Sequence, residues 1–325
     1  MSPDPFFQPV SGMVLPRFAG VPSFMRLPHV RLDDPRLKDV EIGLIGAPWD
    51  TGTTNRPGAR HGPRQLRDLS TMIRLVHPVS KVNPFATANC ADLGDVSVNP
   101  TSTPDTLRRV TDFYDQVIAA GITPLSAGGD HLLSYPILRS VAKERPVALI
   151  QFDSHTDLND SYFDGEKYTH GTPFRRAVEE GLVDPTKYVL IGIRGPAYDH
   201  GSDLEWGRER GVTIIEIEEY FERGPEHVMA QAREIVGDAP LYVSFDIDFI
   251  DPAFCPGTGT PEIGGPNTFQ AQQTARGLRG LNIVGADLVE VSPPFDQSGG
   301  TAWVGVSMMF EMLCSLAEAV ARRRS

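Results

Sequence analysis

Seven short apolar runs punctuate the chain from about residue 40 onward: "VEIGLIGAP", "GITPLSAGG", "PVALIQFD", "KYVLIGIRG", "VTIIEIEE", "PLYVSFDID" and "NIVGADLVEV". They are rich in β-branched residues and almost continuously apolar, as strands covered on both faces are. "ATANCADLGD" is a weaker eighth candidate. Between the runs the apolar positions recur with helical period. "PDTLRRVTDFYDQVIAAG" sets Leu107, Val110, Phe113, Val117 and Ile118 on one stripe and ends on Gly121, which predicts a glycine-terminated helix. "TPFRRAVEEG", "EHVMAQAREIVG", "TFQAQQTARGLRG" and "WVGVSMMFEMLCSLAEAVARRR" repeat the pattern. Strand and helix in alternation predict an α/β fold of three layers, α-β-α, around a mainly parallel sheet. Residues 1–38 carry Pro and aromatics without periodicity and read as an arm that packs on the body or on a neighbouring subunit. Residues 39–325 read as one catalytic domain, with no repeat or low-complexity linker to divide them.

Charge narrows the partners. Thirty Lys and Arg against 42 Asp and Glu give a net charge of −12, with the basic residues scattered apart from Arg322, Arg323 and Arg324. Such a surface repels phosphate backbones, so no nucleic-acid partner is expected. The start of the chain has no basic segment followed by an apolar core, and no run of 18 apolar residues occurs, so neither a signal peptide nor a membrane partner is expected. Cys90, Cys255 and Cys314 are an odd number without paired spacing, which suits a reducing, cytoplasmic address.

Candidate chemistry sits where the apolar runs stop. In open parallel sheets, ligands bind beyond the carboxyl ends of the strands. "PLSAGGDH" supplies Asp130 and His131, "LIQFDSHTD" supplies Asp153, His155 and Asp157, "YVSFDIDFIDP" supplies Asp246 and Asp248, and "LVEVSPPFD" supplies Glu290. Alternate residues of an extended chain point to one side, so Asp153, His155 and Asp157 converge if the extension continues, as do Asp246 and Asp248. Ionised carboxylates leave water only against compensating charge. Four of them with His131 and His155 exceed the needs of one cation and suit two. Oxygen and imidazole donors without thiolate favour Mn²⁺, with Ni²⁺, Co²⁺, Fe²⁺ and Zn²⁺ as contenders. Two ions about 3.5–4 Å apart acidify a bridging water, which implies hydrolysis. Asp130 reads equally well as a ligand, as an N-cap of the next helix or as the partner of a histidine.

"GGDHLLSYP", "LIQFDSHTD" and "SFDIDFIDPAFCPGTGTPEIGG" resemble the signatures of the ureohydrolase family, the arginases and agmatinases. "GARHGPRQLR", "YTHGTPFRRA" and "VEVSPPFD" extend the likeness over about residues 40 to 315. Ala127, Ser154 and Leu158 depart from the usual pattern and touch no presumed ligand. The likeness is nearest in the agmatinase-like guanidinobutyrase and guanidinopropionase branch. It implies an arginase-like fold with about eight strands and a trimer or hexamer. It implies one ion on His131, Asp153, Asp157 and Asp246 and another on His155, Asp153, Asp246 and Asp248. It also makes His170 a proton shuttle, Glu290 the acid facing the guanidinium, and Asp157 part of the catalytic set.

The reaction so implied releases urea and an amine from a small guanidino compound, most readily a guanidino acid such as 3-guanidinopropionate or 4-guanidinobutyrate. Agmatine and other N-substituted guanidines, biguanides included, are the alternatives, as is service as one subunit of a hetero-oligomer. A metal-dependent deacylase or deiminase is a further reading, against which the six-ligand set argues. Loops after the metal motifs should line the mouth, making Asn159, Tyr162 and Thr260 candidates to contact the substituent. Lys167 is the nearest basic residue for a carboxylate and Asp164 an acid for an amine. Cys255, Cys90, Cys314 and the methionines Met308, Met309 and Met312 read as packing residues.

Overall fold

The computed structural model describes residues 4–197 and 200–324. The first three residues of the expected arm and the last residue of the expected catalytic domain lie outside that range.

Eight parallel strands form one sheet: β1 (Ile42–Ala47), β2 (Cys90–Asp95), β3 (Thr123–Gly128), β4 (Val147–Phe152), β5 (Val183–Ile193), β6 (Thr213–Glu216), β7 (Leu241–Asp246) and β8 (Ile283–Val289). Their order across the sheet is β2-β1-β3-β8-β7-β4-β5-β6. The helices are α1 (Gly62–Ser70), α2 (Pro84–Thr87), α3 (Thr103–Ala119), α4 (Ser134–Val141), α5 (Pro173–Glu179), α6 (Ser202–Glu209), α7 (Ile217–Arg223), α8 (Pro225–Val236), α9 (Thr268–Arg276) and α10 (Gly300–Arg324). They cover both faces of the sheet, which explains the unbroken apolar runs. Along β4, Ala148, Ile150 and Phe152 face one core, shared with α8 and α10. Val147 and Leu149 face the other, shared with α3 and α4.

The expected α3 ends as its sequence indicates. Gly121 takes φ +77, and the amides of Gly121 and Ile122 bond back to Ile118 and Val117 at 2.9 and 3.2 Å, closing a Schellman turn. Its buried stripe includes Tyr114 and leaves Phe113 and Ile118 half-buried. "VTIIEIEE" is strand only as far as Glu216; the acid-rich remainder opens α7, where acids suit a helix N-terminus.

α10 is long and apolar enough to cross a membrane by length and composition alone, but 78% of its most apolar window is buried in the protein. Met308, Met309 and Met312 pack in that core. All three cysteines are buried and free, and burial pushes their thiols up.

In the N-terminal segment Phe7, Phe24, Met25, Leu27 and Val30 are buried, and the Phe24 amide donates to Asp92 at 2.9 Å. The same segment leaves Met13, Phe18 and Val21 more than 90% exposed.

The sheet order places the site. The chain passes from β3 to β4, three strand positions away, and β7 and β8 later fill the two places between them. The ends of β3, β8, β7 and β4 therefore lie side by side at a switch point. Asp246 pairs with Val289 in register, and Phe152 with Phe245, so Asp153 and Asp246 leave the sheet at one level and Glu290 one residue beyond it.

Candidate metal centre and active site

Six of the predicted residues meet as two donor groups. Nδ1 of His131 lies 3.1 Å from Asp153 Oδ2, 2.9 Å from Asp157 Oδ2 and 3.2 Å from Asp246 Oδ2. Nδ1 of His155 lies 3.0 Å from Asp248 Oδ2 and 3.6 Å from Asp153 Oδ1. Asp153 belongs to both groups. Asp246 stands with His131; only its fellow Asp248 stands with His155.

Convergence is not achieved by continued extension. β4 stops at Phe152 and β7 at Asp246, and Asp157 turns to φ +53. The spacing of two is an Asx turn: Asp153 Oδ1 accepts the His155 amide at 2.7 Å, and Asp246 Oδ1 accepts the Asp248 amide at 2.8 Å. Asp248 Oδ1 is held by the amide and hydroxyl of Ser154 at 3.1 and 2.8 Å. One oxygen of Asp246 and of Asp248 is thus anchored while the other faces an imidazole. Asp130 takes the N-cap role: it accepts from the Leu132 amide at 3.2 Å and the Gly52 amide at 2.7 Å.

Burial and mutual repulsion strain these acids. Burial, with the charge of Asp153, pushes Asp157 up to about 6. Burial and the charges of Asp248 and Asp153 push Asp246 well up. Burial works against protonated imidazoles, yet the carboxylates around His131 and His155 raise both well above the usual histidine range. In each group the carboxylates favour a positive charge at the imidazole position, whether a proton or a cation. Nδ1 of His131 and Oδ2 of Asp248 are buried without a hydrogen-bond partner, although oppositely charged atoms lie near them. Such atoms aimed at a common point suit a bound cation, so the donor set fits one divalent ion per group.

Sequence reasoning missed the residues that hold these groups. Gln151 Nε2 donates to Asp153 Oδ2 at 2.6 Å, and the Tyr188 hydroxyl fixes the Gln151 carbonyl. Ser244 Oγ contacts His131 Nε2 at 2.8 Å and donates to Asp287 at 2.6 Å. Hydroxyls and an amide inside apolar strands carry no signal beyond their unusual burial.

His170 and Glu290 lie beside the donor groups. His170 Nδ1 is 3.1 Å from Glu290 Oε1, and its Nε2 is 2.7 Å from the Thr54 hydroxyl. Burial opposes its protonation, but the hydrogen bond to Glu290 and nearby acids raise His170 overall. Glu290 Oε1 also accepts the His131 amide at 3.0 Å, whereas Oε2 is buried and unpartnered. Glu290 holds φ +63, a costly conformation for a residue with a side chain and one that concentrates at functional sites.

A cavity opens over both groups. Its wall includes His131, His155, Asp157, Asp246, His170, Thr54, Asn159, Tyr162, Arg194, Asp203 and Thr260. The three expected substituent contacts are among them, and Asn159 donates to the Tyr162 hydroxyl at 3.1 Å. Lys167 and Asp164 are not on this wall; the Lys167 ammonium lies 3.9 Å from Asp160.

An eight-stranded parallel α/β sheet bearing paired Asp–His donor groups at its central strand ends defines the class. Residues 40–314 match the arginase family, and the chain belongs to that family. It is 57% identical to guanidinopropionase of Pseudomonas aeruginosa over 97% of this chain and 98% of that protein. It is 46% identical to guanidinobutyrase of the same organism, with the same coverage of both. The solved structure of proclavaminate amidino hydrolase from Streptomyces clavuligerus superposes with a TM-score of 0.88 at 39% identity, covering 94% of this chain and 99% of that one.

Proposed function

We propose that this chain hydrolyses the guanidino C–N bond of a small guanidino acid, such as 3-guanidinopropionate or 4-guanidinobutyrate, to urea plus an amine. The observation that carries the reading is the pair of donor groups joined through Asp153 beneath a cavity whose wall includes His170. The names of the relatives at 57% and 46% identity support the carboxylate-bearing substrate.

His131, Asp153, Asp157 and Asp246 would hold one ion, and His155, Asp153 and Asp248 the other, with Asp246 shared on the family pattern. Mn²⁺ suits the oxygen-rich set best, and Ni²⁺ or Co²⁺ is compatible with it. Two divalent ions bound there would acidify a water at neutral pH and offset developing negative charge.

The protein's own groups supply the rest. A guanidinium spreads its charge over three nitrogens, so it must be held in a fixed pose to react. The free Oε2 of Glu290 is a charge-assisted acceptor for its N–H groups. The leaving amine departs only when protonated. His170, hydrogen-bonded at Nδ1 to Glu290 and at Nε2 to Thr54, would deliver that proton. Asn159, Tyr162 and Thr260 would contact the substituent.

Agmatine is the second reading, favoured by Asp203 on the cavity wall, a carboxylate suited to an ammonium tail. Assembly into a homo-oligomer, a trimer or hexamer, is proposed on the apolar side chains exposed along the arm.

The test is urea release from guanidinopropionate, guanidinobutyrate, agmatine and arginine by protein reconstituted separately with Mn²⁺ and with Ni²⁺. A guanidino acid turned over at least about tenfold faster than agmatine, a margin of about 1.4 kcal/mol, is the expected result. Silence across the panel from protein holding two ions per chain overturns the proposal.

A further inference from the structure

We infer that Asp287 is a positioning residue for the metal centre, acting through Ser244 to hold His131 in the tautomer that leaves Nδ1 free to bind a cation. This rests on the reading of His131 as a ligand.

Asp287 lies on β8 and is fully buried, and among the described residues no cationic side chain is bonded to it. Register places it beside Ser244 of β7 on one side and Ser126 of β3 on the other. Its Oδ1 accepts the Ser244 hydroxyl at 2.6 Å, and its Oδ2 accepts the hydroxyls of Ser134 and Tyr242, each at 2.7 Å. A carboxylate has only acceptor sites, so the single hydroxyl proton of Ser244 is committed to it. The remaining capacity of Ser244 Oγ is as an acceptor, and His131 Nε2 stands 2.8 Å away. The proton between them must therefore sit on Nε2. A neutral imidazole carries one N–H, so Nδ1 keeps a lone pair.

An independent observation agrees. Nδ1 lies within 3.2 Å of three carboxylate oxygens, yet it is a buried polar atom without a hydrogen bond. A lone pair at that position is free to meet a cation held among those oxygens. Fixing a ligand's tautomer from its far nitrogen is a recurrent use of groups behind a metal site. Here a serine relays the effect of an acid that never reaches the ion.

Asp287→Asn reverses the logic. The amide can donate to Ser244 Oγ, freeing the serine hydroxyl to donate to Nε2 and drive the histidine proton onto Nδ1. The experiment is equilibrium dialysis against graded Mn²⁺ with elemental analysis, alongside thermal denaturation. Wild-type protein should hold two ions per chain. Asp287→Asn should weaken one of the two by about 10- to 100-fold and leave the other near its wild-type affinity. Tyr242→Phe removes another hydroxyl from the same carboxylate but spares Ser244, so it should lose stability and keep both ions. If Asp287→Asn binds both ions as tightly as wild type, Asp287 is only a satisfied buried acid and the inference fails. Should Asp287→Asn not fold, Ser244→Ala decides: weaker uptake of one ion supports the relay, and unchanged uptake of both overturns it. Wild-type protein that takes up no ion overturns the metal-centre reading itself, a result distinct from the unequal uptake that tests the relay.

Discussion

Glu290 and His170 meet through one hydrogen bond, and the proposed reaction asks different things of them. Replacing either with alanine should lower kcat by at least about 10²-fold, the range of a lost general acid or a lost charge acceptor. Both variants should keep two ions per chain, because neither side chain belongs to a donor group. Wild-type turnover in either variant removes that residue from the mechanism. Asp153 and Asp248 differ in another way. Asp153 stands in both groups and Asp248 in one, so Asp153→Asn should cost both ions and Asp248→Asn one. Elemental analysis after desalting gives the ratio directly. The clustering of these donor residues was legible in the sequence because Asp and His are costly residues to bury and rarely end three strands together by accident. Their geometry was not, because a spacing of two serves an extended strand and an Asx turn equally well. Ser244, Asp287, Gln151 and Thr54 stayed invisible, since nothing in a strand pattern separates a relay from a satisfied hydroxyl or amide.

At the scale of the element, the paired glycines at the end of β3 show what a strand end must do to carry a buried donor side chain. A Cβ on Gly129 would overlap the backbone of Trp49, including its amide nitrogen at 2.8 Å. That close approach lets the Asp130 amide bond to the Trp49 carbonyl at 2.9 Å and the Gly129 carbonyl accept the Glu290 amide at 2.9 Å. The turn thus ties β3 to β8 just where His131 and Glu290 emerge. Gly129→Ala should destabilise the fold by about 1–3 kcal/mol through overpacking and reduce activity with it. A lower melting temperature measures the first effect, and an unchanged one would show that Trp49 moves aside. Strands and long helices were readable because burial on both faces leaves a nearly continuous apolar signal. The split of "VTIIEIEE" into strand and helix was not, since apolar residues at the junction suit either element.

Among the described residues the most exposed large apolar side chains lie on the arm. Val14 is 83% exposed, and Met13, Phe18 and Val21 more than 90%, an unusual concentration on a chain of charge −12. If this segment seats a second copy, Val14→Asp with Phe18→Asp should shift the sedimentation coefficient toward monomer while leaving metal content intact. Identical sedimentation of variant and wild type would exclude the arm as the contact. The strand order has a different consequence. The donor groups hang on the inner strands, whereas Asn159, Tyr162, Arg194 and Thr260 stand on connecting segments around the rim, with Asp203 in the first turn of α6. Rim segments can be exchanged or lengthened without disturbing the buried pairing beneath them. Evolution of such a chain can therefore retarget it to a different tail on the same reactive head by rewriting its loops, and a laboratory can borrow the same division of labour.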